Sequence, residues 1–328
     1  MSEKDSSLRL ENYLFLLKAR ERIRQWLKSR GYLEVLVPSL SPETTPELHL
    51  ESFSLQFASA FGELQSELFL QTSPELLMKR LLALGLEKIF YLGPAYRQGE
   101  YSPLHHPEFT IVEWYCPEKS YFELMDELEE MVSELFEVKS PIPRRNFSEL
   151  VKKQAGADLL AFSPDELARW LKEKGLGDFS QSPVLQIYDF IIVQFLEPAI
   201  KEFPLVFVYD YPGELSPQAK IHPENPRLSQ RFELYLKGIE VANGYCEETD
   251  LEKIKTRFIR EQEKRKREGK KIIPLPKRFL ESLKKIPRDY SGLALGLERL
   301  VMAVLGLNSL DELLPFREIS IENKGSGS

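Results

Sequence analysis

The segment 88–115 constrains the fold most. "KIFYLGPAYR" is an apolar run ending at Arg97, "FTIVEWY" is a second run over 109–115, and a polar loop, 98–108, joins them. Two strands joined by a loop pair antiparallel, whereas a parallel pair needs a long crossover, usually a helix. Residues 231–247, "RFELYLKGIEVANGYCE", repeat the arrangement with a turn at Lys237–Gly238. Two hairpins among irregularly placed helices favour an α+β domain, an antiparallel sheet flanked by helices, over a doubly wound parallel one.

The remaining segments fit that class. Leu10, Tyr13, Leu14, Leu17, Ile23, Trp26 and Leu27 recur at helical spacing over 8–30, and Gly31 suits the stop. "YLEVLVP" reads as a strand ending at Pro38. Ser73 and Pro74 suit the cap and first residue of a helix that stops near Gly85. Helices are also expected over 120–138 and 251–268, a strand over "PLVFVYDYP", and a strand entering a helix over "GLALGLERLVMAVLG". The 328 residues read as one domain, 1–322, with a small helical insertion around 140–182 and a flexible tail, 323–328.

Composition excludes several function classes. A net charge of −7 argues against a protein whose main work is binding long nucleic acid. Two cysteines, Cys116 and Cys246, fit a reduced, cytoplasmic setting and no disulfide framework. No apolar run approaches the ~20 residues of a membrane span.

Four constellations carry possible chemistry. Along 109–115, the period of two puts Phe109, Ile111, Glu113 and Tyr115 on one face, and Thr110, Val112 and Trp114 on the other. Arg97 at the strand end and His105 in the loop suit a polyphosphate, since guanidinium offers a planar fork of donors. Glu240 should face Tyr235 across the second hairpin, with Glu233 its diagonal neighbour about 7–8 Å away. That spacing suits oxygen ligands for Mg²⁺, or simply two solvated glutamates. Asn243, Tyr245 and Glu247 share a face by alternation, with Glu240 opposite. A bulge near Ala242–Gly244 would bring all four together. Arg299 falls in the first turn of a helix, where a cation opposes the dipole and would welcome an anion.

In order and wording, "TSPELLMKRLL", "HPEFTIVEWY", "RFELYLKGIEVANGYCEETD" and "SGLALGLERLVM" resemble the catalytic core of class II aminoacyl-tRNA synthetases, specifically the lysyl branch. The resemblance spans about residues 10–316. It is closest to the free-standing elongation factor P lysine ligases, which lack the anticodon-binding domain. With a helix starting near residue 8, no OB-fold module is expected ahead of it. Ala294 stands where the tRNA-charging lysyl enzymes usually carry glycine, and such ligases prefer (R)-β-lysine. The resemblance implies a cytoplasmic, ATP-dependent enzyme that activates lysine or β-lysine and transfers it to a lysine side chain of elongation factor P. It also implies residue roles. Arg97 would contact the α-phosphate and the amino-acid carboxylate. His105 and Arg299 would hold the outer phosphates, and Phe109 would stack on adenine. Glu233 and Glu240 would hold Mg²⁺, and Glu75 would take the backbone-type amine. Glu113, Tyr115, Asn243, Tyr245, Glu247 and Ala294 would line the amino-acid pocket. Glu247 is expected as an unpaired carboxylate awaiting the substrate's distal amine.

One departure stands out. The family's Arg-x-Glu reads "RQGE" here, with Gly99 at the Glu position and Glu100 one place later. Glu100 is the residue left to approach the adenine edge. The segment from 10 to Pro38 resembles the twofold interface of the class, so a homodimer is expected. The basic run 253–271 reads either as a solvated helix face or as a docking surface for an acidic acceptor. A minimal lysyl-tRNA synthetase and a non-catalytic regulatory paralogue remain alternative functions, and the sequence names no general base for the transfer step.

Overall fold

The computed structural model describes residues 3–58, 65–287 and 289–316. The tail expected at 323–328 lies outside the described residues. Helix α1 (Glu3–Ser29) ends before Gly31, whose φ of +81° needs no Cβ to be accommodated. Its second half buries Ile23, Trp26 and Leu27, while Leu10, Leu14 and Leu17 point outward. The run 32–38 yields only a two-residue strand, β1 (Leu33–Glu34). It is followed by β2 (Leu40–Ser41), β3 (Ser54–Ala58) and β4 (Gln65–Leu70), which form a small antiparallel sheet in the order β2-β4-β3. Helix α2 (Glu75–Ala83) starts one residue later than its sequence suggests, with Pro74 as the cap. The Ser73 hydroxyl accepts from the Glu75 N–H at 3.0 Å but donates away from the helix, to Glu113.

Strands β5 (Ile89–Tyr96) and β6 (Glu108–Pro117) pair antiparallel from Ile89–Tyr115 to Tyr96–Glu108, the hairpin read from sequence. Helix α3 (Tyr121–Phe136) opens with a reciprocal capping box of Ser120 and Glu123. After β7 (Arg144–Asn146), helical structure continues past residue 182. It comprises α4 (Phe147–Ala155), α5 (Pro164–Glu173), α6 (Val184–Ile191), a π turn at 192–196 and α7 (Glu197–Ile200). These helices share their own apolar core, built on Phe147, Leu167, Leu171, Ile191 and Leu196. It meets the large sheet through Val206 and Val208.

The chain closes with β8 (Leu205–Pro212), β9 (Leu228–Leu236), β10 (Ile239–Cys246), α8 (Leu251–Arg267), α9 (Lys277–Leu283), β11 (Tyr290–Gly296) and α10 (Leu297–Leu305). The large sheet runs β1-β5-β6-β11-β10-β9-β8-β7. Its interior pairs are antiparallel and its two outermost pairs parallel. Val112, Trp114, Phe232, Leu293 and Leu295 point to one face and are buried with α1, α3 and α10. Removal of that apolar area from water is the main term holding the layers together. The opposite face of the same strands is free to carry polar groups.

Helix α8 corrects one expectation. Its basic run is not all surface: Arg265 is 0% exposed. It holds both oxygens of Glu51 at 3.0 and 2.8 Å and donates to the backbone carbonyls of Glu47 and Lys271. Glu261 on the same helix accepts from the Leu48 N–H at 3.0 Å. Helix α8 thus fastens the loop 43–52 in place. Arg265→Ala should cost about 3 kcal/mol, since it strands these acceptors beside a cavity. A chemical-denaturation midpoint equal to wild type would show the contacts to be without weight.

Candidate active site

Register places the site residues in rows across the free face of the sheet. One row reads Tyr91, Glu113, Ala294, Asn243 and Glu233, on β5, β6, β11, β10 and β9. The next reads Ile89, Tyr115, Gly292, Tyr245 and Arg231. Glu240 joins this face because the β9–β10 register shifts between Glu240 and Ala242, leaving Val241 as the extra residue. The bulge thus precedes the position expected at Ala242–Gly244. Gly244 has another reason to be glycine: a Cβ there would lie 2.8 Å from the Phe232 ring and 2.9 Å from the Gly292 carbonyl.

The middle of these rows, with Arg231 and Glu240, forms the wall of a cleft of about 440 Å³, bounded also by α2, the loop 47–50 and the loop 214–218. One end of it is dense with carboxylates. Glu113 is buried and accepts from the Tyr115 hydroxyl at 2.6 Å and the Ser73 hydroxyl at 2.9 Å. Glu75 accepts from the Tyr245 hydroxyl, from Lys79 at 2.6 Å and from the Gln218 amide at 2.7 Å. Burial and the neighbouring Glu75 charge raise Glu113 to about 7. Glu247 is pushed to about 8, chiefly by burial, against the opposing pull of Lys79.

Lys79 overturns the expectation that Glu247 stands unpaired. It is 2% exposed and lies 2.5 Å from Glu247 Oε2. Burial alone would lower its ammonium; the charges of Glu247 and Glu75 outweigh that and hold it above its ordinary value. Glu247 Oε1 remains buried without a hydrogen-bond partner among the described residues, as does Asn243 Oδ1. Buried polar atoms ordinarily find partners, so both are positions for a ligand's donors. Sequence reasoning passed over Lys79 and Gln218. The spacing of Glu75 and Lys79, four apart on one helix, was the signal for the first; Gln218 sits in a loop without periodicity.

Gly292 makes the pocket possible. A Cβ at 292 would meet the Tyr115 ring at 2.4 Å and Glu247 Oε1 at 2.6 Å. Gly292→Ala should therefore cut amino-acid-dependent turnover by about 10²-fold while the protein still binds nucleotide. Unchanged turnover would mean that the pocket lies elsewhere.

The other end of the cleft suits a nucleotide. Arg97 follows β5, donates to the Thr72 carbonyl at 3.3 Å and lies 5.0 Å from the Phe109 ring centroid. His105 shares a hydrogen with the Ser102 hydroxyl at 2.7 Å. Burial, with the Arg299 charge, lowers its pKa and so favours the uncharged ring. Gly99 takes φ +86°, a left-handed turn that disfavours the family's glutamate there. The turn leaves Glu100 3.7 Å from Arg97. Arg299, in the first turn of α10, lies 3.6 Å from Glu240. His106 instead donates to the Glu108 carbonyl.

The two expected metal ligands differ. Glu240 is partly exposed, and burial together with the Glu233 charge raises its pKa, a repulsion that a divalent cation would relieve. Glu233 does not line the cleft. Its carboxylate is occupied by Arg231 and by the hydroxyls of Tyr211 and Tyr235. Of the two expected ligands only Glu240 presents a carboxylate to the cleft, the hard oxygen donor that Mg²⁺ takes; Glu233, held by Arg231 and the two tyrosines, does not.

The family model described as "tRNA synthetases class II (D, K and N)" matches residues 8–320. Among curated relatives, the elongation factor P--(R)-beta-lysine ligase of Avibacterium paragallinarum is 35% identical, covering 96% of each chain. Its namesake in Pasteurella multocida (strain Pm70) is 34% identical over 97% of each. That of Haemophilus influenzae (strain Rd) is 33% identical over 94% of this chain and 95% of its own. The rows of carboxylates, the arginines at the far end of the cleft and the antiparallel sheet beneath them agree with these matches: the chain belongs to the class II tRNA synthetase family of the D, K and N type.

Proposed function

We propose that the chain is an ATP-dependent ligase that activates (R)-β-lysine as an aminoacyl-adenylate and transfers it to a lysine side chain of elongation factor P. The observation that carries this reading is a carboxylate pocket already built around one ammonium, that of Lys79, beside an arginine-lined opening. The ammonium groups of the substrate would bring this carboxylate pocket further positive charge. The relatives' printed names support the choice of amino acid and acceptor.

In the first step the amino-acid carboxylate attacks the α-phosphate of ATP, the bond to the bridging oxygen breaks, and pyrophosphate leaves. Arg97 faces the developing charge; His105 and Arg299 hold the outer phosphates, and Phe109 gives adenine a surface to stack on. Such a step depends on positioning and preorganised charge rather than on a covalent nucleophile. Bound at Glu240 with Glu233 behind it, Mg²⁺ would supply neutralisation of phosphate charge. In the second step the unprotonated acceptor amine attacks the mixed anhydride, and AMP leaves. Exchange of labelled pyrophosphate into ATP should depend on lysine or (R)-β-lysine. Exchange driven equally by any amino acid would sink the assignment.

A homodimer belongs to the same proposal. Leu10, Leu14 and Leu17 on α1, and Leu36 beyond β1, are exposed, Leu36 by 92%. Twofold dimers are the commonest oligomers, and a contact between copies would cover such leucines. Light scattering at micromolar concentration should give twice the chain's 38.1 kDa; a mass of one chain refutes the dimer. Among the described residues no helix is long and apolar enough to cross a membrane, and the proposed setting is the cytoplasm.

A further inference from the structure

One carboxylate in the amino-acid pocket has no role in the account so far. Glu47 lies on the loop 43–52, outside every strand and helix, and lines the cleft opposite the sheet. Its Oε1 accepts from the Gln218 amide at 2.8 Å and from the Thr45 hydroxyl at 3.1 Å. The same Gln218 nitrogen lies 2.7 Å from Glu75 Oε2, so one amide bridges the two acids. Gln218 is itself buried and receives Lys79 on its oxygen at 3.2 Å. The position of Glu47 is not left to loop flexibility. Arg265 holds the Glu47 carbonyl, and Glu261 holds the neighbouring Leu48 N–H.

We infer that Glu47 is a specificity-determining residue that, paired with Glu75 through Gln218, selects where along the substrate chain the proximal amine sits. The inference rests on the function proposed above and deepens it. Glu75 alone could take an amine on either the α or the β carbon. Moving the amine by one carbon shifts it by about 1.5 Å or somewhat more, the length of a C–C bond. Two acids flanking one amide nitrogen offer an ammonium more than one position, nearer one carboxylate or reached by both. An ammonium reached by both is favoured over one reached by Glu75 alone, because a charge-assisted hydrogen bond in a buried site is worth more than a neutral one. The buried, unpartnered Glu247 Oε1 in the same cleft anchors the distal amine, which fixes the chain's register so that the proximal position can be read. Burial, with the Glu75 charge, raises Glu47 to about 7, the condition expected of an acid that awaits a cation.

The test is pyrophosphate exchange by the full chain with (R)-β-lysine and (S)-α-lysine. Glu47→Gln keeps an oxygen for Gln218 and Thr45 but removes the charge. Glu47→Asp keeps the charge and withdraws it by one methylene. The inference predicts that Glu47→Gln lowers kcat/KM for (R)-β-lysine at least tenfold relative to (S)-α-lysine, with the loss in KM. Glu47→Asp should shift the ratio the same way by less. An unchanged ratio, or equal losses for both isomers, overturns it even if wild-type exchange is normal. A wild-type protein that exchanges with neither isomer overturns the function proposed above and this inference with it.

Discussion

Arg97→Ala lowers ATP–pyrophosphate exchange by about 10²–10³-fold, the usual cost of losing one preorganised donor at the reacting centre. The loss should fall on kcat as well as on the KM for ATP. Three features of this arginine predict it. It sits where β5 ends and the loop begins, its guanidinium stands against the Phe109 ring, and it faces Glu100 at 3.7 Å. Arg97→Lys should recover little, because a point charge does not replace a planar fork. Exchange within threefold of wild type in Arg97→Ala would remove Arg97 from the chemistry and leave the nucleotide end without its principal donor.

Glu247→Gln raises the KM for the amino acid by about 10²-fold or more while leaving the KM for ATP within a few-fold. Truncating one partner of a buried charge pair costs about 2–5 kcal/mol, and here Lys79 would keep Glu75 as its carboxylate partner together with the Gln218 oxygen. The acidity of the pocket adds a second signature. A carboxyl held at about 8 in the native protein, against 4.5 as its ordinary value, keeps a proton that the unfolded chain gives up. Native stability therefore falls as pH rises from 4.5 toward 8. A cationic substrate favours the ionised form, so its binding should release protons in that window, and its KM should rise as pH falls. Calorimetry in buffers of different ionisation heat reads the release directly. Glu247→Gln should diminish it, and release identical to wild type would show that Glu247 does not meet the ligand.

What the sequence made legible was local. The two hairpins, the Lys237–Gly238 turn and the Gly31 stop follow from periodicity and turn chemistry within a few residues of each other. The faces of β6 followed too, because alternation alone sorts Trp114 from Glu113. Motif resemblance then placed most of the cleft's wall. The contacts that depend on distant segments were not legible. Lys79 meets Glu247, Gln218 meets Glu75, and Arg265 meets Glu51, each across more than a hundred residues. A charged helix reads as solvated, so Arg265 was counted as surface although it is buried. Gly244 was taken for the site of the bulge because glycine permits one, when packing against Phe232 is what requires it.

The proposed function stands or falls on where the activated amino acid goes. The full chain should be incubated with ATP, Mg²⁺ and labelled (R)-β-lysine in the presence of both elongation factor P and total tRNA, and the label followed into protein and nucleic acid. The account predicts label on a lysine side chain of elongation factor P, abolished by Arg97→Ala and strongly reduced by Glu247→Gln. Label on tRNA with none on the protein would contradict it and identify a minimal tRNA-charging enzyme instead.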